Sequence, residues 1–162
     1  GLSAVKMASI AKECNIPVKI ICIDTWLGAP EFWTSGLHDS TRGVALKCNN
    51  GYPQVYYSFL KNVIAKGYSD CIIPFPISAT EAVEVLNYYK ITADIIYIDA
   101  SHEYKSVIND VCNYWPLVNK NGMLFGDDYA DYWPGVIKAV DEFCKDNGVN
   151  VSVDDVVWSL TK

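Results

Sequence analysis

The chain is expected to adopt an α/β fold, a mostly parallel sheet with helices on both faces. Short apolar runs (KIICID, DCIIPFPI, ADIIYID and MLFGDD) alternate with stretches whose apolar residues recur at helical spacing. The run VKIICID is β-branched and shows no polar alternation, as in a strand buried on both faces. Three of these runs stop at acids: Asp24, Asp99 and the pair Asp127-Asp128.

The elements follow in order. SAVKMASIAKE places Val5, Ala8, Ile10 and Ala11 at helical spacing, with Pro17 as its terminator. VKIICID is the first strand. Residues 25–50 are rich in Gly, Pro, Ser, Thr and Asn, yet carry Trp26, Phe32 and Trp33, which suits a long loop or lid better than a linker. YPQVYYSFLKNVIAKG is a helix stopped at Gly67. DCIIPFPI is a short strand interrupted by Pro74 and Pro76, and Ser78 or Thr80 caps the helix TEAVEVLNYYK. ADIIYID is a strand, and YKSVINDVCNYWPLV a helix ending near Pro116. Asn121-Gly122 forms a turn into the strand MLFGDD. Pro134 starts the helix VIKAVDEFCKDNG, and VNVSVDDVVWSLTK supplies one or two terminal strands.

Composition bounds the function. The 162 residues suit one domain spanning 1–162, and half of them are hydrophobic. A net charge of −6 argues against a nucleic-acid partner, which needs a basic stripe. No apolar run approaches the ~20 residues of a membrane span, and no leader is visible, so a cytoplasmic location is expected. Cys14, Cys22, Cys48, Cys71, Cys112 and Cys144 form no CxxC pair or zinc spacing. Buried free thiols in a reducing compartment are expected.

Parallel sheets of this kind bind ligands beyond the carboxyl ends of their strands. Asp24, Asp99, Asp127 and Asp128 therefore share one rim. Any one of them could instead be a turn or capping residue. Together they repel, and a hard cation with oxygen ligands would settle them; magnesium suits such a set, with calcium or manganese as alternatives. An acid placed like Asp24 accepts hydrogen bonds from ribose hydroxyls in nucleotide-binding α/β folds. His102, one short turn past Asp99, titrates near neutrality and can take a proton from a hydroxyl. His38, in the aromatic loop, is read as solvated or as a substrate contact. Tyr129 and Trp133 either line an acceptor pocket or cover the following helix.

The segments IIYIDASHEYKSVINDVCNYWPLV, NGMLFGDDY and WPGVIKAVDEF resemble the class I S-adenosylmethionine-dependent methyltransferases, and among them the metal-dependent small-molecule O-methyltransferases. The resemblance runs from residue 1 to about residue 158. It implies a Rossmann-like sheet and S-adenosylmethionine as methyl donor. It also implies a divalent cation, Mg2+ or another, on Asp99, Asp127 and Asp128. Asp24 would hold the cofactor ribose, Ile77 and Ser78 would lie along the adenine, and Trp26 would flank the cofactor, with Asp99 close by. In related sugar methyltransferases a histidine three residues past the first metal ligand is the base, which falls on His102. Catechol-type enzymes carry lysine there, so the acceptor is expected to be a sugar or other aliphatic hydroxyl, with a phenolic or catechol hydroxyl as the alternative. Trp26, Phe32, Trp33 and His38 would belong to a lid.

The family begins with a strand and a glycine-rich turn. Here only the tail of that turn is expected, in Gly1 and Ser3, so the natural protein is expected to have residues before Gly1 or further fused domains. Open sheet edges would also allow a homo-oligomer. Three rivals remain. The first is a catalytically inactive methyltransferase-like binding or assembly module. The second is a receiver-like phosphoacceptor domain, which needs a lysine at a late strand end. The third is a nucleotide-sugar oxidoreductase, for which the chain has no G-x-G-x-x-G.

Overall fold

The computed structural model describes residues 1–29, 32–33 and 46–162. These form two compact units, Gly1–Ser78 and Ala79–Lys162. His38 and most of the expected lid lie outside the described residues. No helix among the described residues is long and apolar enough to cross a membrane.

In the first unit, helix α1 (Leu2–Glu13) precedes strand β1 (Ile20–Ile23), helix α2 (Val55–Ala65) and strand β2 (Ile72–Phe75). The α1 helix stops before Pro17 because Asn15 takes the left-handed conformation (φ 56°). The amide of Ile16 then donates to the Ala11 carbonyl at 2.8 Å and that of Asn15 to Lys12 at 3.1 Å, closing a Schellman cap. Gly67 (φ 73°) ends α2 in the same way. Strands β1 and β2 pair in parallel, Ile20 opposite Ile72 and Ile23 opposite Phe75.

Alternation along these strands decides burial. Ile20 and Cys22 pack on a core of Ala4, Ala8, Trp26, Phe59, Val63 and Ile72. Ile21 and Ile73 point the other way and are 37% and 44% exposed. The expectation of a β1 buried on both faces is thus corrected: among the described residues, Ile20 and Cys22 face the core while Ile21 is exposed.

In the second unit, helix α3 (Ala79–Tyr88) leads to strand β3 (Ala93–Ile98) and helix α4 (Tyr104–Tyr114). A 3-10 turn, Trp115–Leu117, precedes strand β4 (Val118–Gly126). Helix α5 (Pro134–Asn147) and strands β5 (Ser152–Asp154) and β6 (Val157–Thr161) complete it. The sheet order is β3-β4-β6-β5, with β3 and β4 parallel and the terminal hairpin antiparallel. The strand expected from Met123 begins earlier, at Val118. Asn121 (φ 66°) and Gly122 do not end it but sit where the register with β3 slips.

Val136, Ala139, Val140, Phe143 and Cys144 form a buried stripe on α5 at helical spacing. On α4 the buried set is Val107, Asp110, Val111 and Tyr114. Trp158, 1% exposed, lies across Gly126: a Cβ there would come within 2.5 Å of the indole and 2.7 Å of the Ile98 carbonyl. Glycine at 126 therefore lets β4 run against Trp158 up to the acids that follow. All six cysteines are free, but only Cys144 is buried; Cys22 and Cys71 are half-buried and the other three exposed, which narrows the expectation of buried thiols.

Candidate active site

Parallel pairing brings the ends of β3 and β4 side by side, Ile98 opposite Gly126. The next residues on each strand are acids. Asp99, His102, Asp127 and Asp128 line one pocket in the second unit, floored in part by Val107 and Trp158. Asp127 leaves the strand in line, and its Oδ1 accepts the Asp128 N–H at 2.9 Å. Asp128 then turns into the left-handed region (φ 65°), which a short polar side chain tolerates. That turn lets consecutive acids face the same pocket, which an ideal strand forbids. His102 Nε2 lies 2.8 Å from Asp128 Oδ2, with both side chains a little over one quarter exposed. Asp99 Oδ2 accepts the Tyr97 hydroxyl at 3.1 Å.

Two contacts here were not read from the sequence, one made by Tyr97 and one by Trp133, which was expected only to line an acceptor pocket or cover the following helix. Tyr97 shares a strand face with Asp99, two residues on, and that period-2 relation was a usable signal. Burial, and then the charges of Asp99, Asp127 and Asp128, push the Tyr97 hydroxyl well above its ordinary pKa, so it stays a donor to Asp99. Trp133 stacks on the His102 ring at 4.0 Å between centroids and 15° between planes. Nothing in the spacing of the sequence predicted that contact. Tyr129 has turned onto α5: its hydroxyl donates to Asp141 at 2.7 Å, and its pKa is pushed up to about 12 by burial and by that carboxylate.

The carboxylates suit a hard cation in chemistry but do not fit one as arranged. Asp99 is engaged by Tyr97, Asp127 by a backbone amide and Asp128 by His102. Among the described residues, no three His, Cys, Asp or Glu side chains gather as a metal-binding group.

The residues expected to touch the cofactor lie mainly in the first unit. Gly1 caps α1 and its carbonyl accepts the Val5 amide at 3.1 Å; Ser3 sits in the first turn, half-buried. Asp24, exposed just past β1, accepts the Trp26 N–H on Oδ1 at 2.9 Å. Trp26 itself is buried, with ring centroids 5.0 Å from both Tyr56 and Phe59. Its indole is a core element. Ile77 and Ser78, both half-buried, follow β2, and the Ile77 amide donates to Phe75 at 2.9 Å.

Strand, acid and imidazole together define an α/β protein of the class that works beyond the carboxyl ends of parallel strands. The chain belongs to a methyltransferase-domain family, whose model matches residues 1–129. A curated relative, the uncharacterized protein R132 of Acanthamoeba polyphaga mimivirus, is 33% identical over 103 residues. That match covers 62% of this chain and 42% of the relative. Among solved structures, the O-methyltransferase NovP superposes with a TM-score of 0.69 at 18% identity, covering 98% of this chain and 66% of NovP. CalS11, a TDP-rhamnose 3'-O-methyltransferase of calicheamicin biosynthesis, gives 0.58 at 15%, covering 99% and 79%. An O-methyltransferase from Bacillus cereus, solved in complex with SAH, gives 0.58 at 12%, covering 100% and 82%. At these identities the structures speak for a shared fold. The chain spans under half of its curated relative and about two thirds of NovP.

Proposed function

We propose that this chain carries S-adenosylmethionine-dependent O-methyl transfer to a hydroxyl of a sugar or similar small molecule, with His102 as general base. The observation that carries the proposal is the His102–Asp128 contact in a pocket shared with Asp99 and Asp127, on a chain of the methyltransferase-domain family. His102 takes the acceptor's proton as the oxygen attacks the sulfonium methyl. The O–CH3 bond forms, the C–S bond breaks, and its electron pair stays on sulfur. Most of the acceleration comes from positioning.

Asp24 binds the cofactor ribose: with Oδ1 held by the Trp26 amide, Oδ2 is left to accept ribose hydroxyls. Gly1, Ser3, Ile77, Ser78 and Asp99 are the other proposed cofactor contacts, while Trp26 acts from the core by fixing Asp24. Histidine at 102, where catechol-type relatives carry lysine, favours an aliphatic hydroxyl. The similarity in fold to CalS11, which methylates TDP-rhamnose, supports the same acceptor class. The six free cysteines support a reducing, cytoplasmic setting.

Magnesium would need Asp99, Asp127 and Asp128 to rearrange into a shared site, and the proposed transfer uses the chain's own residues. The test is radiolabelled methyl transfer from S-adenosylmethionine to TDP-rhamnose and, separately, to catechol, with magnesium and with EDTA. Methylation of the sugar in preference to catechol is expected. Preference for catechol would overturn the acceptor class. Cofactor binding without transfer to either would favour the inactive binding module.

A further inference from the structure

Three Asn-Gly pairs occur in the chain: Asn50-Gly51, Asn121-Gly122 and Asn147-Gly148. Asparagine before glycine carries a latent reaction, because glycine has no side chain to shield its amide nitrogen or restrict its backbone. Once that nitrogen loses its proton to hydroxide, it can bond to the asparagine Cγ. The Cγ–Nδ2 bond then breaks, and the side-chain nitrogen leaves as ammonia. Water opens the resulting five-membered imide at either carbonyl, to aspartate or to isoaspartate. Water is consumed, ammonia is released, and nothing is oxidised or reduced.

The fold treats the three pairs differently. Asn147 is the last residue of α5, and its Nδ2 donates to the Phe143 carbonyl at 2.9 Å. The Gly148 N–H donates to the Cys144 carbonyl, so the leaving amide and the attacking nitrogen are both held. Asn121-Gly122 lies inside β4, where the Asn121 N–H donates to the Lys162 carbonyl at 2.8 Å and the Gly122 carbonyl accepts the Lys162 N–H at 3.0 Å. Gly122 is also buried: a Cβ on it would lie 2.7 Å from the Asp94 carbonyl oxygen.

Asn50-Gly51 has none of this restraint. Both residues are exposed and both have positive φ, 49° and 78°, as in the type I′ turn of a two-residue hairpin. A single bridge closes the turn, Asn49 to Tyr52, through two backbone bonds of 2.9 and 3.0 Å. A Cβ on Gly51 would meet nothing within 4 Å. Neither the Asn50 side chain nor the Gly51 N–H is hydrogen-bonded to a described residue. A turn held by one bridge opens locally at little cost, which frees the Gly51 nitrogen to reach Cγ.

We propose that Asn50 is a self-modification site, converted to aspartate and isoaspartate in the folded chain ahead of Asn121 and Asn147. Conversion adds one negative charge to the net −6. The isoaspartate product also lengthens the turn's backbone by one methylene, which a two-residue hairpin cannot absorb without losing its bridge. The Tyr52 carbonyl accepts Gln54 Nε2 at 3.1 Å, and Gln54 is the N-cap of α2, so the altered turn abuts the start of that helix. The site is independent of the methyl-transfer reading.

The test incubates the full chain at physiological temperature in mildly alkaline buffer, with a parallel sample unfolded in guanidinium chloride. Peptide mass spectrometry follows the exchange of NH2 for OH at each asparagine, and chromatography separates aspartate from isoaspartate. The Asn50→Asp variant supplies the aspartate standard. In the folded chain Asn50 should convert about tenfold faster than either other asparagine, a gap that corresponds to about 1.4 kcal/mol of extra local opening at the held pairs. In guanidinium chloride the three rates should converge. Equal rates in the folded chain, or Asn121 or Asn147 converting first, would overturn the proposal. A lead for Asn50 that persists unchanged in the unfolded chain would also overturn it, because flanking sequence and not the fold would then set the order.

Discussion

Replacing His102 by asparagine is expected to lower the rate of methyl transfer by about 10²–10⁴-fold, the usual contribution of a general base. Affinity for S-adenosylhomocysteine should not change. An aliphatic hydroxyl is a very weak acid, and the sulfonium methyl must be attacked as the O–H bond weakens. Asparagine preserves size and can still hydrogen-bond Asp128, so the pocket keeps its shape, but it has no nitrogen lone pair to take the proton. The loss should therefore appear in kcat while KM for the methyl donor stays unchanged. Steady-state rates with TDP-rhamnose as acceptor check this. Loss confined to KM for the donor would instead place His102 in cofactor binding.

The second large effect concerns stability. Asp110 lies on the buried face of α4 and is only 9% exposed. Burial alone raises its carboxyl from 3.8 to about 6. Between those values the folded chain keeps a proton that the unfolded chain has released. Stability therefore falls as pH rises through that window and stays reduced above it. Nearby, the Tyr114 hydroxyl is raised to about 12, first by burial and then by the Asp110 charge, and it donates to the Ala79 carbonyl at 2.8 Å. Asp110→Asn removes the charge and keeps the shape. Relative to wild type, the variant should gain up to about 3 kcal/mol at pH 8 compared with its effect at pH 3. Urea denaturation at the two pH values measures this. A wild-type-to-variant difference independent of pH would contradict it.

Much of this architecture could be read from residue patterns because its signals are local. The order of helices and strands followed apolar spacing, and Gly67 ended α2 as expected because a left-handed stop needs no tertiary context. Asp99, Asp127, Asp128 and His102 were legible as one group because strand ends in a parallel pair come together by topology.

What escaped was set by tertiary packing. Asn15, unremarkable in sequence, took the left-handed position that ended α1 ahead of Pro17. Trp26 read as a cofactor neighbour because it follows Asp24, yet its indole is held among Ala4, Phe59 and Val63. Sequence distance hid the Trp133 stack on His102, which α5 delivers from 31 positions away. The carboxylates suggested a cation on charge grounds. Their orientations, fixed by a tyrosine, an amide and an imidazole, could not be inferred from charge.

The central claim, that this chain handles S-adenosylmethionine through the acid after β1, is tested most directly by calorimetric titration of S-adenosylhomocysteine into the wild-type chain and Asp24→Ala. A Kd of about micromolar order, near −8 kcal/mol, is expected for wild type. Binding should be lost in Asp24→Ala, with the circular dichroism of the two chains matching. Wild-type binding that Asp24→Ala leaves intact, or no binding by the wild-type chain, would contradict the claim.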